Sequence, residues 1–312
     1  MSACAWRRAG RADIPALSAF LSEREERCAG FSGRLLREAP GGGAELRLPT
    51  PLRGGVWIAV PSGAAAAVDS IAGALLCHPS GLAFPLLPGR GADAGEDPLG
   101  RELARLSAAR VWRAASAAGP ADDVERLEEI AGLEPLVRVG YETMRLGAAA
   151  VAGFAQRGAS EAGAFAVRRA GPPDLDLLFP LQEAYEREEV LTPIHEFNPA
   201  ACRAALARSL ELQLVFVAEE IPARGPRRVV AKAQTNARGF RVDQVGGVFT
   251  LPERRGRGAA AALMAVLLAE IGRAGRGASL FVKPGNAPAL ALYRGLGFEG
   301  IGAYRADYFL EG

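Results

Sequence analysis

Two short stretches of this chain carry residue types at spacings that chemistry would need. In the first, Val245 to Leu251 reads as a strand and passes through Pro252 and Glu253 into Arg254, Arg255, Gly256, Arg257, Gly258 and Ala259. From there Leu263, Leu267 and Ile271 recur at a spacing of four, with Met264 and Leu268 beside them, so a helix starts directly after the glycine-rich turn. The first turn of a helix leaves backbone N–H groups without partners, and its dipole puts positive potential there. Such a turn is an anion site, where a diphosphate would be held mainly by main chain. Gly256 and Gly258 let the backbone approach closely and take dihedrals barred to other residues, while Arg255 and Arg257 add positive charge.

Other readings of the turn fail on its residues. A Walker loop would end in Gly-Lys-Ser/Thr, and a dinucleotide fingerprint would show GxGxxG in an early strand-turn-helix unit with an acidic residue further on. An RNA-binding arginine-glycine segment would be repetitive, whereas this is a single turn between a strand and an amphipathic helix. Taken alone, the turn could still be a basic surface loop without a ligand. The second stretch argues against that: Asn286, Ala289, Leu292 and Tyr293, followed by Gly297 and Phe298, come just after a strand over 279–283.

Together the two stretches resemble the GNAT superfamily of N-acetyltransferases. That family carries Gln/Arg-x-x-Gly-x-Gly/Ala after its fourth strand and Asn-x-x-Ala-x-x-Leu-Tyr, ending in Gly-Phe, after its fifth. Glu253 departs from the pattern at the first loop position, which touches a polar loop contact and not the main-chain donors. The resemblance covers about 164–310 and implies acetyl-CoA as co-substrate, attacked directly by a primary amine in a ternary complex. It implies that Arg255, Gly256, Arg257, Gly258 and Ala259 hold the diphosphate. The backbone amides of Val248, Phe249 and Thr250 would run beside the pantetheine arm and polarise the carbonyl. Tyr293 would be the general acid, although a tyrosine before Gly-Phe also packs well in a core. Asn286 would cap its helix and, by the resemblance, touch the cofactor arm, although capping alone accounts for it equally well. The base stays open among Glu188, Glu189 and His195, with Glu189 carried forward; Asp243 is a further candidate that reads more simply as a solvated turn residue. No metal is implied.

These residues need elements to position them. After a short strand over 165–169, the stretch 174–189 has Leu175, Leu178, Leu181 and Tyr185 on one face, as a buried helix requires. Asn198-Pro199 opens a second helix running to Leu212. Strands over 214–219, 229–235 and 245–251 follow, then the helix after the turn, the strand 279–283, a helix 287–296 stopped by Gly297, and one or two strands over 300–310. The expected fold class is α+β, a central mixed and mostly antiparallel sheet flanked by helices.

The first half shows a weaker version of the same order: a strand near Trp6, a helix from Asp13, strands over 56–60 and 70–87, a helix from Leu99, a strand near Val111, a helix from Asp122 and a strand over 137–145. This suggests duplication, hence a tandem GNAT-like fold, with a boundary in the Ala/Gly run 147–163: domains 1–150 and 164–312. The first half lacks both stretches. Gly89, Arg90 and Gly91 come nearest and lead into an acidic linker, and His78 reads as structural. The first half is therefore expected to be a degenerate domain that packs on the active one or helps shape its acceptor site.

Length and composition agree. A chain of 312 residues is comfortable for two domains, and 37 Lys plus Arg against 35 Asp plus Glu gives no global pull toward nucleic acid. Cys4, Cys28, Cys77 and Cys202 form no CxxC pair. The start has no signal-peptide pattern, and the most apolar region, 56–87, is broken by Pro61, Asp69 and Pro79, so a cytoplasmic protein without a membrane role is expected. The partner is a small-molecule or protein amine. The rival reading, from another class, is an acyl-CoA-binding regulatory module that has lost turnover; an interaction scaffold would have no use for the turn.

Overall fold

One seven-residue pattern occurs twice, as Arg7-Arg8-Ala9-Gly10-Arg11-Ala12-Asp13 and as Arg168-Arg169-Ala170-Gly171-Pro172-Pro173-Asp174. Each copy folds into the same corner. The arginine leaves the strand β1 (Cys4–Arg8) or its later counterpart, and the aspartate closes a 3-10 turn that opens a helix. Arg7 binds Asp13 at 2.6 and 2.7 Å, and Arg168 binds Asp174 at 2.8 and 3.1 Å. In both copies the aspartate also accepts from the glycine N–H, at 2.8 Å for Gly10 and 3.0 Å for Gly171. Paired charges of this kind allow an acidic side chain to be buried at a helix entry.

The computed structural model describes residues 4–38, 44–49, 54–61, 70–87, 97–109, 114–157, 165–220 and 227–309. The chain divides into two compact units, Met1–Thr143 with Gly302–Gly312, and Met144–Ile301. The expected domains were 1–150 and 164–312. The units differ chiefly in that the strand β14 (Glu299–Phe309) gives its residues from Gly302 onward to the first unit, because Tyr304 to Tyr308 pair with the strand β7 (Ser116–Pro120).

In the first unit β1 is followed by α1 (Ile14–Leu35), a hairpin of β2 (Leu36–Glu38) and β3 (Ala44–Leu46), then β4 (Gly55–Pro61), β5 (Gly73–Cys77), β6 (Leu82–Leu86), α2 (Pro98–Ala108), β7, α3 (Ala121–Ala131) and β8 (Pro135–Leu146). The sheet order is β1-β4-β5-β6-β7-β14-β8, with β6 and β7 parallel. Trp6, Leu75, Leu103, Val124, Leu127 and Phe309 share its core. The expected strand at Val111 and the Gly89-Arg90-Gly91 approach lie outside the described residues.

The second unit runs α4 (Ala148–Arg157), β9 (Phe165–Arg169), α5 (Leu175–Tyr185), a π-helical turn Glu186–Val190, α6 (Pro199–Leu212), β10 (Val215–Glu220), β11 (Arg228–Arg238), β12 (Val242–Thr250), α7 (Ala259–Arg273), β13 (Gly277–Val282), α8 (Ala287–Gly295) and the start of β14. Its sheet order is β9-β10-β11-β12-β13, antiparallel except for β12 with β13. Helices cover both faces, so β10 is buried from Val215 to Glu219. Phe216 and Ala218 join Leu263, Leu267 and Ile271 of α7, while Val215 and Val217 join Leu178, Leu206 and Leu210 of α5 and α6. Successive strand residues point to opposite faces, which sorts these two cores. Each fully buried leucine contributes roughly 1.5–3 kcal/mol.

Three expectations change. The Ala/Gly run is not all linker: alanine is the best helix former, and Ala148–Arg157 is a helix lying against α7. A Cβ added at Gly272 would come within 2.7 Å of the Val151 carbonyl, so the two backbones meet where α7 has no side chain. The helix expected over 174–189 is α-helical only to Tyr185. Asp243 is not solvated; it is buried in β12 and paired with Arg276 at 2.9 Å and Arg238 at 3.6 Å. Among the described residues no helix is long and apolar enough to cross a membrane.

Candidate functional site

The site is built where β12 stops pairing. β12 and β13 run parallel in register from Val242 opposite Gly277 to Val245 opposite Leu280. On its other side β12 faces β11, where Gln234 lies opposite Gly246 and Lys232 opposite Phe249. One extra residue is thus inserted in β12 at Gly247–Val248. Gly247 has φ +56°, the left-handed conformation of a glycine-first bulge. A bulge bends its strand and withdraws backbone groups from the ladder, and here it does so just before Phe249 and Thr250.

The chain then makes a single 3-10 turn, Pro252–Arg254, and enters α7 through the glycines. Gly256 has φ +74° and Gly258 φ +87°, so both positions favour glycine. A Cβ added at either would meet no atom within 4 Å, which leaves the space over the turn open. Gly258 is the cap residue of α7 and brings no side chain to its first-turn amides. These amides and the dipole behind them suit a diphosphate.

The arginines of the turn are held by carboxylates. Arg255 Nη2 donates to both oxygens of Glu188, at 2.7 and 2.8 Å, its Nε donates to the Thr250 carbonyl at 3.1 Å, and its guanidinium lies 5.5 Å from the centre of the Phe249 ring. Arg254 and Arg257 both reach Glu220, at 2.9 and 3.4 Å. An incoming phosphate would compete with these carboxylates for the arginines, while the main-chain donors have no such rival.

The second stretch also assembles. Asn286 caps α8, its Oδ1 accepting from the Ala289 N–H at 3.2 Å. Tyr293 is buried beside Phe298, ring centres 6.0 Å apart, and belongs to the α7 core. Burial, with the charge of Glu189 adding to it, pushes its phenol up to about 12, so it keeps its proton near neutral pH. Glu189 is therefore near enough for its field to reach Tyr293. Its main-chain carbonyl accepts from Lys283 Nζ at 2.7 Å and its carboxylate lies 3.4 Å from the same ammonium. The other acid–base candidates diverge: Glu188 is on Arg255, and His195 Nδ1 bonds Thr192 Oγ1 at 2.6 Å. Asp243 sits six residues before Phe249 on β12, roughly 20 Å at about 3.3 Å per residue.

One turn sets much of this geometry. In the π-helical turn, closed by Leu191 N–H on the Glu186 carbonyl at 2.9 Å, Glu188 goes to the glycine turn, Glu189 to the end of β13, and Glu186 toward β11. An α-helix through these residues would space them differently, and π-turns recur at functional sites for this reason.

Sequence reading missed Lys232 of β11, which is wholly buried beside the bulge. The signal was present, a lysine inside the apolar run Val229-Val230-Ala231-Lys232-Ala233 of a central strand, followed across the hairpin by the paired glycines Gly246 and Gly247.

A sheet parted at a bulge, with a glycine turn feeding a helix on one side and a capped helix on the other, defines the acyl-CoA N-acyltransferase fold. Residues 230–309 match the family model described as FR47-like protein, which is GNAT-related. Across the whole chain the fold is that of tandem GNAT proteins. A Drosophila protein superposes with a TM-score of 0.64 at 13% identity, covering 98% of this chain and 99% of that one. A tandem GNAT protein from the clavulanic acid biosynthesis pathway, solved without AcCoA, gives a TM-score of 0.51 at 14% identity and 98% of each chain. A GCN5-related N-acetyltransferase from Sphaerobacter thermophilus gives 0.51 at 18% identity, covering 97% of this chain and 94% of that one. No curated protein matches the chain. The chain thus has the fold of tandem GNAT proteins, and the match to a GNAT-related family model lies within residues 230–309.

Proposed function

We propose that the second unit is an N-acetyltransferase that takes acetyl-CoA as co-substrate and transfers its acetyl group to a primary amine by direct attack in a ternary complex. The observation that carries this reading is the cap of α7, two left-handed glycines with open space above them and no side chain on the first-turn amides. The residues fit a diphosphate: main-chain N–H groups of Gly256 to Ala259 would hold it, with Arg255 and Arg257 contributing charge once drawn from Glu188 and Glu220. Asn286, besides capping α8, would touch the arm.

A bound acetyl thioester supplies the activated acyl carbon. The protein's own tasks are orientation, polarisation and proton movement. Backbone N–H groups at Val248, Phe249 and Thr250, in the part of β12 that runs on past its last pairing with β13, would polarise the carbonyl. Glu189 is the side chain placed to take the ammonium proton, directly or through water. Tyr293, protonated and close to Glu189, would return a proton to the departing sulfur. A carbon–nitrogen bond forms as the carbon–sulfur bond breaks; nitrogen loses one proton to Glu189 before attack and a second as the amide forms, sulfur gains one from Tyr293, which is reprotonated in turn, and one proton is released to solvent. The acceptor is a small-molecule or protein amine, with no role for nucleic acid, membrane or metal, in a cytoplasmic setting.

Calorimetry with acetyl-CoA on wild type and Gly258→Glu tests the reading. Micromolar binding at one per chain that falls at least a hundredfold in the variant is expected, since the added carboxylate would stand in the anion site. Wild-type binding that the variant keeps would remove the diphosphate from this turn.

A further inference from the structure

A lysine sealed inside a protein is costly unless its charge finds partners, so its presence calls for a reason. Lys232 is 0% exposed. Its Nζ donates to the Gly247 carbonyl at 3.2 Å and to Gln234 Oε1 at 3.4 Å, and lies 4.5 Å from the centre of the Tyr185 ring. Glu186 of the π-helical turn and Cys202 of α6 also face it. Packing alone does not require a lysine, because methionine would fill the same space without a charge. What distinguishes the ammonium is its bond to the Gly247 carbonyl.

Lys232 and Gly247 are fitted to one another. A Cβ at residue 247 would stand 2.9 Å from Lys232 Nζ, so glycine is needed there both for its positive φ and for access to its carbonyl. The ladder with β11 steps from Gly246 to Phe249, leaving the Gly247–Val248 peptide out of register. A trans peptide is planar, with C=O and N–H pointing in opposite directions. Turning the Gly247 carbonyl onto Lys232 therefore turns the Val248 N–H away from Lys232.

We propose that Lys232 is a positioning residue for acetyl transfer: it grips the Gly247 carbonyl and thereby fixes the Val248 N–H to receive the thioester oxygen. This rests on the acetyltransferase reading above. Donors aimed in advance at the carbonyl oxygen cost no reorganisation when charge develops on it. Burial holds the Lys232 ammonium down to about 8, opposed by the pull of Glu186 and Cys202, so the grip weakens as pH rises past neutrality. Burial pushes the Cys202 thiol up to about 11, outside that window.

The test reads the carbonyl and needs no acceptor. Acetyl-CoA labelled with 13C at the thioester carbonyl is bound to the full chain and its stretching band followed by difference infrared spectroscopy. The expected result is a band below that of free acetyl-CoA in wild type, which moves back toward the free position between pH 7 and 9. In Lys232→Met the affinity stays within about threefold while more than half of the shift is lost, at every pH. A shift that is flat with pH in wild type, an unshifted band, or a variant that keeps the shift or its titration would overturn the role. The pH series uses wild type alone, so a variant that failed to fold would leave the proposal open to refutation. Absence of acetyl-CoA binding by wild type would instead overturn the function, and this role with it.

Discussion

Two helices of this chain, α2 and α7, each follow a strand that has a parallel neighbour, and their first turns are treated in opposite ways. Asp97 caps α2: its Oδ1 accepts from the Gly100 N–H at 2.8 Å and its Oδ2 from Arg126 at 2.8 Å. The anion position of that helix is occupied by the protein's own carboxylate, and the arginine that neutralises it comes from α3. At α7 the cap is Gly258, which has nothing to offer. Yet the Arg–Gly–Asp corners that open the two units match almost atom for atom. The two units share the scaffold where it folds the chain and differ in their helix caps, one satisfied from within and one without a capping side chain.

Breaking the shared corner should have the largest effect on stability. Arg168 joins Asp174 and also Glu219, at 2.7 Å, so Arg168→Met takes the nearest cation from two carboxylates; with 37% of the arginine side chain exposed, a loss of about 2 kcal/mol is expected by denaturant unfolding. The same contact predicts a pH dependence. Arg168 holds the Asp174 carboxyl below its usual range in the folded state, so its stabilisation is complete above the unfolded value near about 4 and disappears as pH falls through the lower folded value. Wild type should therefore lose stability on acidification below about pH 4, and Arg168→Met should show a shallower slope there.

Removing the internal cap of the first unit sharpens the contrast. Asp97→Ala should cost about 1 kcal/mol, as cap deletions do, and leave acetyl-CoA binding at one per chain with unchanged affinity. A second bound equivalent would mean that only the cap separates the two units' capacities. The smallest effect is expected from Glu188→Gln, which releases Arg255 from its carboxylate and should tighten acetyl-CoA binding about two- to fivefold by calorimetry, the gain shrinking in high salt. Weaker binding would show that Glu188 orders the turn for the ligand.

Element order in the second unit is legible because α7 follows a glycine turn and α8 has an asparagine cap and a glycine just past its end, and the motif residues Gly256, Gly258, Asn286 and Tyr293 belong to those elements. The π-helical turn was not legible, since Glu186, Glu188 and Glu189 continue a helical pattern and only their separate partners reveal the wider spacing. Lys232 is hard to read from sequence because charge in a strand usually marks a solvated face, and only the glycines across the hairpin point to the carbonyl that it binds. The repeated corner is legible as Arg-Arg-Ala-Gly before a helix in each half, a likeness of residues that the order of elements does not carry.

The pairing of β14 with β7 has a consequence for how the protein is made. Tyr304 to Tyr308 complete a sheet whose other strands lie before residue 147, so the ribosome must deliver the entire second unit before the first can close. Until then β7 presents an open edge, a template for wrong pairing, and the late strand must find it over a separation that slows folding. The nascent amino-terminal unit is thus the part most exposed to chaperones, and a fragment ending at Ile301 should expose that edge and aggregate.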